Sequence, residues 1–162
     1  MNSAYLALAA RIRRALDDVQ RVVDRAADLA GRAQRTGDDG FWDGVALNLH
    51  AFYVGIEHVL EAIARGIDGC VPNGPPWRPE LHLQLSSALT GVRPAVLTPE
   101  TRAGLDEFRA FRHIVRNVYT FNLRASRLEA LVHALAPCNA QVRGDLQAFA
   151  DLLERLANAG QT

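Results

Sequence analysis

The chain has 162 residues, 49% hydrophobic and 22% charged, enough to bury an ordinary core and too apolar for a disordered chain. Its basic and acidic residues number 18 each, so no net field draws the protein toward nucleic acid or an anionic membrane. Every basic residue is arginine. Where arginines cluster, they offer planar, bidentate recognition of phosphate or carboxylate that lysine does not match.

Cys70 and Cys138 are too few and too far apart to suggest a zinc site or a disulfide framework. The N-terminal run Met1 to Asp18 has no basic leader before an apolar stretch, and it reads as an amphipathic helix instead of a signal peptide. No window approaches the apolar length needed to span a bilayer, so a cytoplasmic protein with no membrane partner is expected.

Helical periodicity runs through most of the chain. From about Ser3 to Thr36, Leu8, Ile12, Leu16, Val19, Val23 and Leu29 recur at helical spacing, and the run 36–40 (Thr-Gly-Asp-Asp-Gly) stops the helix. A second helix is expected from about Phe41 to Arg65, apolar nearly all round and therefore the most buried element. Gly66 to Pro79 reads as a long ordered loop around Trp77, followed by a short helix from Glu80 to Leu89. Thr98-Pro99 is a strong helix start, with threonine as N-cap and proline at the first helical position. That helix carries Leu105, Phe108, Phe111, Val115 and Val118 on one face and reaches about Phe121. Ser126 is expected to cap a short helix through Leu135, and Pro137 to open a last one ending at Asn158. With no strand alternation, the fold class is all-α, an antiparallel helical bundle with short additional helices.

One stretch does not suit a plain bundle. Residues 112–119 place two arginines, a histidine, an asparagine and a tyrosine inside an apolar helical pattern. Burying an unpaired arginine costs several kcal/mol, so such a set suits a phosphate site better than a core. At about 100° per residue, Arg109, Arg112, His113, Arg116, Asn117 and Tyr119 share one arc, opposite Phe108, Phe111, Ile114, Val115, Val118 and Phe121. The same pattern also fits a solvated face whose arginines pair with Asp106 or Glu107.

Four pieces of the chain carry a resemblance: 53–57 (Tyr-Val-Gly-Ile-Glu), 74–77 (Gly-Pro-Pro-Trp), 91–96 (Gly-Val-Arg-Pro-Ala-Val) and 108–119 (Phe-Arg-Ala-Phe-Arg-His-Ile-Val-Arg-Asn-Val-Tyr). In this order they resemble the HepT-like branch of the HEPN superfamily. The resemblance implies a single HEPN-like helical domain over residues 1–162 that forms a homodimer. It further implies a toxin of a toxin–antitoxin pair, acting on RNA as a metal-independent ribonuclease. The branch's motif is an arginine, four residues, a histidine, one residue and a tyrosine. On this chain the arginine is Arg112 and the tyrosine Tyr119, while Asn117 stands where the histidine belongs.

That departure falls on the residue implied in acid–base catalysis. Arg112 and Arg116 can stabilise charge on phosphorus, with Arg109 adding to phosphate binding. Asn117 can hold a ribose or phosphate but exchanges no proton at neutral pH, and His113, one turn earlier, could supply the imidazole. The resemblance also implies a minimal nucleotidyltransferase as antitoxin, which silences the toxin by AMPylation of Tyr119. The rival reading is a catalytically inactive dimer that binds RNA, nucleotide or a partner. A third is an interaction domain with a salt-bridged surface.

Other residues point to less. His50, Glu57, His58 and Glu61 share a helix but lack the Glu-x-x-His repeats of di-iron bundles, so neither a metal nor a cofactor is expected. Glu57 is expected to anchor an arginine of the key helix. Trp77 reads as a packing plug, and His82 and His133 as surface or boundary residues.

Overall fold

A computed structural model describes residues 2–117 and 124–160, with the side chains of Asn2, Arg116 and Asn117 left out. The described residues form five α-helices and no strand. The expected all-α bundle is therefore what the chain adopts.

Helix α1 (Asn2–Thr36) buries Ile12, Leu16, Val19, Val23, Ala26 and Leu29, the stripe legible in the sequence. Its end is set by Gly37, whose φ of +69° only glycine adopts without strain, and whose N–H donates to the Ala33 carbonyl at 2.9 Å. The Asp38 carboxylate then accepts the Gly40 N–H at 2.8 Å, turning the chain back within a few residues. Helix α2 (Gly40–Ile63) returns along α1 and buries Val45, Leu49, Phe52, Tyr53, Ile56, Val59, Leu60 and Ile63. It is not buried all round, because Leu47 is 67% exposed.

Beyond α2 the chain stays helical longer than expected, as a wider π turn over Ala64–Asp68 that stops at Gly69 with φ +74°. The extra turn delivers Asp68 to Arg93. The two form a bidentate ion pair at 2.6 and 2.7 Å, with 1% and 3% of the side chains exposed. Arg93 also donates to the carbonyls of Gln84, Ser87 and Pro94, so a single buried guanidinium ties down the loop between the third and fourth helices. Burial alone would raise the Asp68 carboxyl, but the hydrogen bonds from Arg93 and Gln84 and the charge of Arg93 outweigh it, and its pKa lies below the ordinary value.

Helix α3 (Trp77–Leu85) begins earlier and ends sooner than the expected span from Glu80 to Leu89. Proline sits third in it, where the missing N–H has no intrahelical partner to lose, so Pro79 does not mark a loop. Leu89 instead pairs with Arg93 across a tight turn.

Helix α4 (Pro99–Asn117) starts where the sequence indicates, with the Thr101 N–H donating to the Thr98 hydroxyl at 3.3 Å. The Thr98 N–H is in turn taken by Asp145 of the last helix at 2.8 Å. Phe121, the expected end of this helix, lies outside the described residues.

Helix α5 (Ala125–Ala159) corrects the expectation of two helices, since it runs unbroken through Pro137. A proline inside a helix removes one backbone hydrogen bond and costs about 3 kcal/mol. Here Pro137 is exposed, so water can satisfy the freed carbonyl. Leu131, Leu135, Cys138, Val142 and Leu146 meanwhile bury a continuous stripe on both sides of it. Helix α1 lies against both α2 and α5, α4 covers the other side of α2 and α5, and α3 bridges α2 to α4. No helix among the described residues is long and apolar enough to cross a membrane.

Candidate functional site

The polar groups of interest gather where α2, α3 and α4 meet. Helix α4 is fixed there by Leu105, Phe108 and Phe111, all fully buried, and Phe108 packs edge-on against Phe52 of α2 at 5.1 Å between centroids. Arg109 and Arg112, one turn apart, flank this apolar stripe and lean toward α2 and α3. His113 is exposed. The side chains of Arg116 and Asn117, and the whole of Tyr119, lie outside the described residues, as does Val118.

At the centre is Glu57 of α2, with only 3% of its side chain exposed. Arg78 of α3 donates from Nε to its Oε2 at 2.8 Å. Arg112 brings its Nε to 3.9 Å from Oε1, an ionic contact too long for a hydrogen bond. Glu57 therefore faces an arginine of the key helix, as expected, but its closest partner is one that the sequence reading passed over. The Arg78 guanidinium also lies over the Trp77 ring, 4.2 Å from its centroid, while the indole packs partly buried against the core.

Beside this trio runs a second chain of polar groups, buried at Tyr53 and His82 and open to solvent at Asp106. The Tyr53 hydroxyl is 3.0 Å from His82 Nε2, His82 Nδ1 is 3.6 Å from Asp106 Oδ1, and that same oxygen accepts from Arg109 Nε at 3.2 Å. Arg109 thus does what the solvated-face reading assigned to it. The Tyr53–His82 contact is a hydrogen bond whose direction follows the imidazole tautomer, while the Asp106 contact at 3.6 Å is too long for one.

His82 is a correction. It reads as a surface or boundary residue in the sequence, yet it is 1% exposed. With the start of α3 placed too late, its pattern was hidden. Counted from Trp77, residues Arg78, Leu81, His82 and Leu85 fall at i, i+3, i+4 and i+7, a single inward stripe. The same count would have exposed Arg78. His133, by contrast, is exposed as expected.

Burial sets the protonation states. It pushes the Tyr53 phenol well above its ordinary range, and the charge of Glu57 adds to the shift. It also lowers the His82 imidazole, helped by Arg109 and opposed by Asp106. Both groups are therefore neutral at physiological pH, and they position neighbours without serving as nucleophiles. Cys138 is no nucleophile either, since burial pushes its thiol up to about 12. The reactive capacity of this region lies in its guanidinium groups. Among the described residues no three His, Cys, Asp or Glu side chains are grouped to hold a metal ion.

Comparison with known proteins gives one family. The model of HepT-like proteins matches residues 44–153, most of the chain, from the start of α2 through most of α5. No curated protein and no solved structure matches. The matched span contains every residue of the polar cluster just described and all four sequence pieces that carry the resemblance, and the chain belongs to the HepT-like family of the HEPN superfamily.

Proposed function

We propose that the protein is the toxin of a toxin–antitoxin pair, a metal-independent endoribonuclease acting at the groove of a homodimer. Family membership carries this reading, and the matched span takes in Arg112 and Tyr119, the residues that the sequence resemblance lays on the motif. The setting of Arg112 supports it: a guanidinium held near one buried carboxylate is pre-oriented for phosphate.

In the reaction, a ribose 2′-oxygen loses its proton and attacks the adjacent phosphorus. The bond to the 5′-oxygen breaks, and that oxygen takes up a proton, leaving a cyclic phosphate. Arg112 and Arg116 hold the phosphate and offset the charge that develops on it, with Arg109 as a further phosphate contact. His113 or Asn117 orients or activates the 2′-hydroxyl, and only His113 can carry a proton. Regulation falls on Tyr119. A nucleotidyltransferase antitoxin joins its phenolic oxygen to the α-phosphorus of ATP, releasing pyrophosphate, and the added AMP blocks the groove.

The asparagine at position 117 favours a second reading, in which the dimer, the groove and the nucleotidyltransferase partner persist but cleavage is lost. Growth on induction separates the two. Arrest by the wild type, abolished by Arg112→Ala, is expected of the nuclease. No arrest, with RNA cleavage gained by Asn117→His, identifies the inactive binder. Arrest that survives Arg112→Ala removes the site assignment. Co-expression with a minimal nucleotidyltransferase antitoxin should add the mass of AMP to Tyr119, and repeated absence of that adduct removes the regulatory step.

A further inference from the structure

We infer that Arg78 is a further phosphate-binding guanidinium of the RNA site, supplied by α3 and aimed by Glu57 and Trp77. The inference rests on the proposed RNA-binding role of Arg112 and extends it to a residue outside the family motif. Three observations carry it.

The first is charge. Arg78 and Arg112 face one buried carboxylate from two different helices, at 2.8 and 3.9 Å, so the trio holds two positive charges against one negative. An anion arriving there meets a net positive charge.

The second is orientation. Glu57 engages Arg78 through Nε alone, and the guanidinium carbon lies over the Trp77 ring at 4.2 Å from its centroid. Its two outer nitrogens make no further bond among the described residues, and 23% of the side chain reaches solvent. That edge is a pre-oriented pair of donors of the kind that grips two phosphate oxygens at once.

The third is economy of structure. A purely structural partner for Glu57 could be a lysine or a neutral donor. The Trp77 ring under the guanidinium adds a cation–π contact that a simple counter-ion has no need of. Helices α3 and α4 thereby present Arg78 and Arg112 on either side of Glu57, where they can contact consecutive phosphates of a single strand.

The test is the salt dependence of binding to an RNA that cannot be cleaved, a single-stranded oligouridylate of about 12 nucleotides with 2′-O-methyl groups. Each phosphate contact on a single strand contributes about 0.7 to the slope of log affinity against log salt. For Arg78→Gln we expect affinity to fall about tenfold and the slope to drop by about 0.7. Arg78→Lys should keep the slope and still bind more weakly, since it keeps the charge but loses the stacked fork.

Arg112→Gln, measured alongside, separates the ways to fail. If the wild type does not bind the RNA, the RNA-site reading falls and this inference falls with it. If Arg112→Gln weakens binding while Arg78→Gln leaves affinity and slope unchanged, the inference alone is overturned. A lower urea midpoint for Arg78→Gln with an unchanged slope shows a structural clamp only, and also overturns it. Should Arg78→Gln fail to fold, Arg78→Lys decides: affinity equal to the wild type overturns the inference.

Discussion

His82 shows most clearly how a single side chain can be tied to a measurable quantity. It is enclosed by the Tyr53 hydroxyl and Glu57 of α2 and by Asp106 and Arg109 of α4, with its imidazole pKa lowered chiefly by burial. In the unfolded chain the same imidazole takes a proton near pH 6.5. Above that pH both states are neutral at this residue and folding is unaffected by it. Below it the unfolded chain binds the proton first, and stability falls until the folded pKa is passed. Urea midpoints should therefore be lower at pH 5.5 than at pH 7.5, and His82→Gln should reduce that difference while leaving the trend from other groups. An identical pH difference in the variant would remove His82 as its source. Asp68 acts in the same direction at lower pH. Its carboxyl is depressed, so its contribution is complete above the ordinary aspartate range and is lost as pH falls through the folded value.

At the scale of helices, the two glycines Gly55 and Gly144 make opposite predictions from the same residue type. Helix α2 passes so close to α1 at Gly55 that an added Cβ would lie 3.0 Å from Val19 Cγ2. Valine is β-branched and buried, so it cannot turn aside. Gly55→Ala should cost about 1–3 kcal/mol. Around Gly144 in α5 nothing lies within 4 Å, and alanine there should stabilise by roughly 0.5–1 kcal/mol through helix propensity. Equilibrium urea unfolding checks both, and a common sign for the two would contradict the packing described. The sequence showed each helix but not these approaches, because periodicity reports which face is apolar and not how closely two faces meet. It read correctly where local chemistry decides, as at the Thr98 cap and the Gly37 stop. It misread Pro79 and Pro137, where the cost of proline depends on position within the helix or on exposure. The polar cluster of the candidate site was legible in Arg112, Glu57 and the Arg109–Asp106 pair, which lie on long, regular helices. Arg78 and His82 were missed because α3 is too short for its stripe to stand out from the loop before it.

For the molecule as a whole, the open question with the sharpest consequence is the proposed homodimer. A twofold axis beside α4 would bring two copies of that helix together and place each residue near it opposite its own symmetry mate, so one substitution acts twice. Ala103, Asp106, Glu107, Ala110 and His113 form the exposed face of α4. A cleft of about 460 Å³ between α4 and α5, lined by Asp106, Glu107, Ala110, Arg127, Ala130 and Leu131, continues that face. It mixes both signs of charge around small residues, as a self-complementary surface requires. Ala110 is exposed in the single chain, so Ala110→Arg should leave the subunit fold intact, read as an unchanged far-ultraviolet circular dichroism spectrum. In the dimer it would set two guanidinium groups against each other. Sedimentation equilibrium should then show the wild type at twice the 17.7 kDa of the chain and Ala110→Arg at the chain mass. A wild-type monomer at micromolar concentration would remove the dimer. A dimer indifferent to Ala110→Arg would move its axis away from α4, and the groove would then have to be completed within a single subunit.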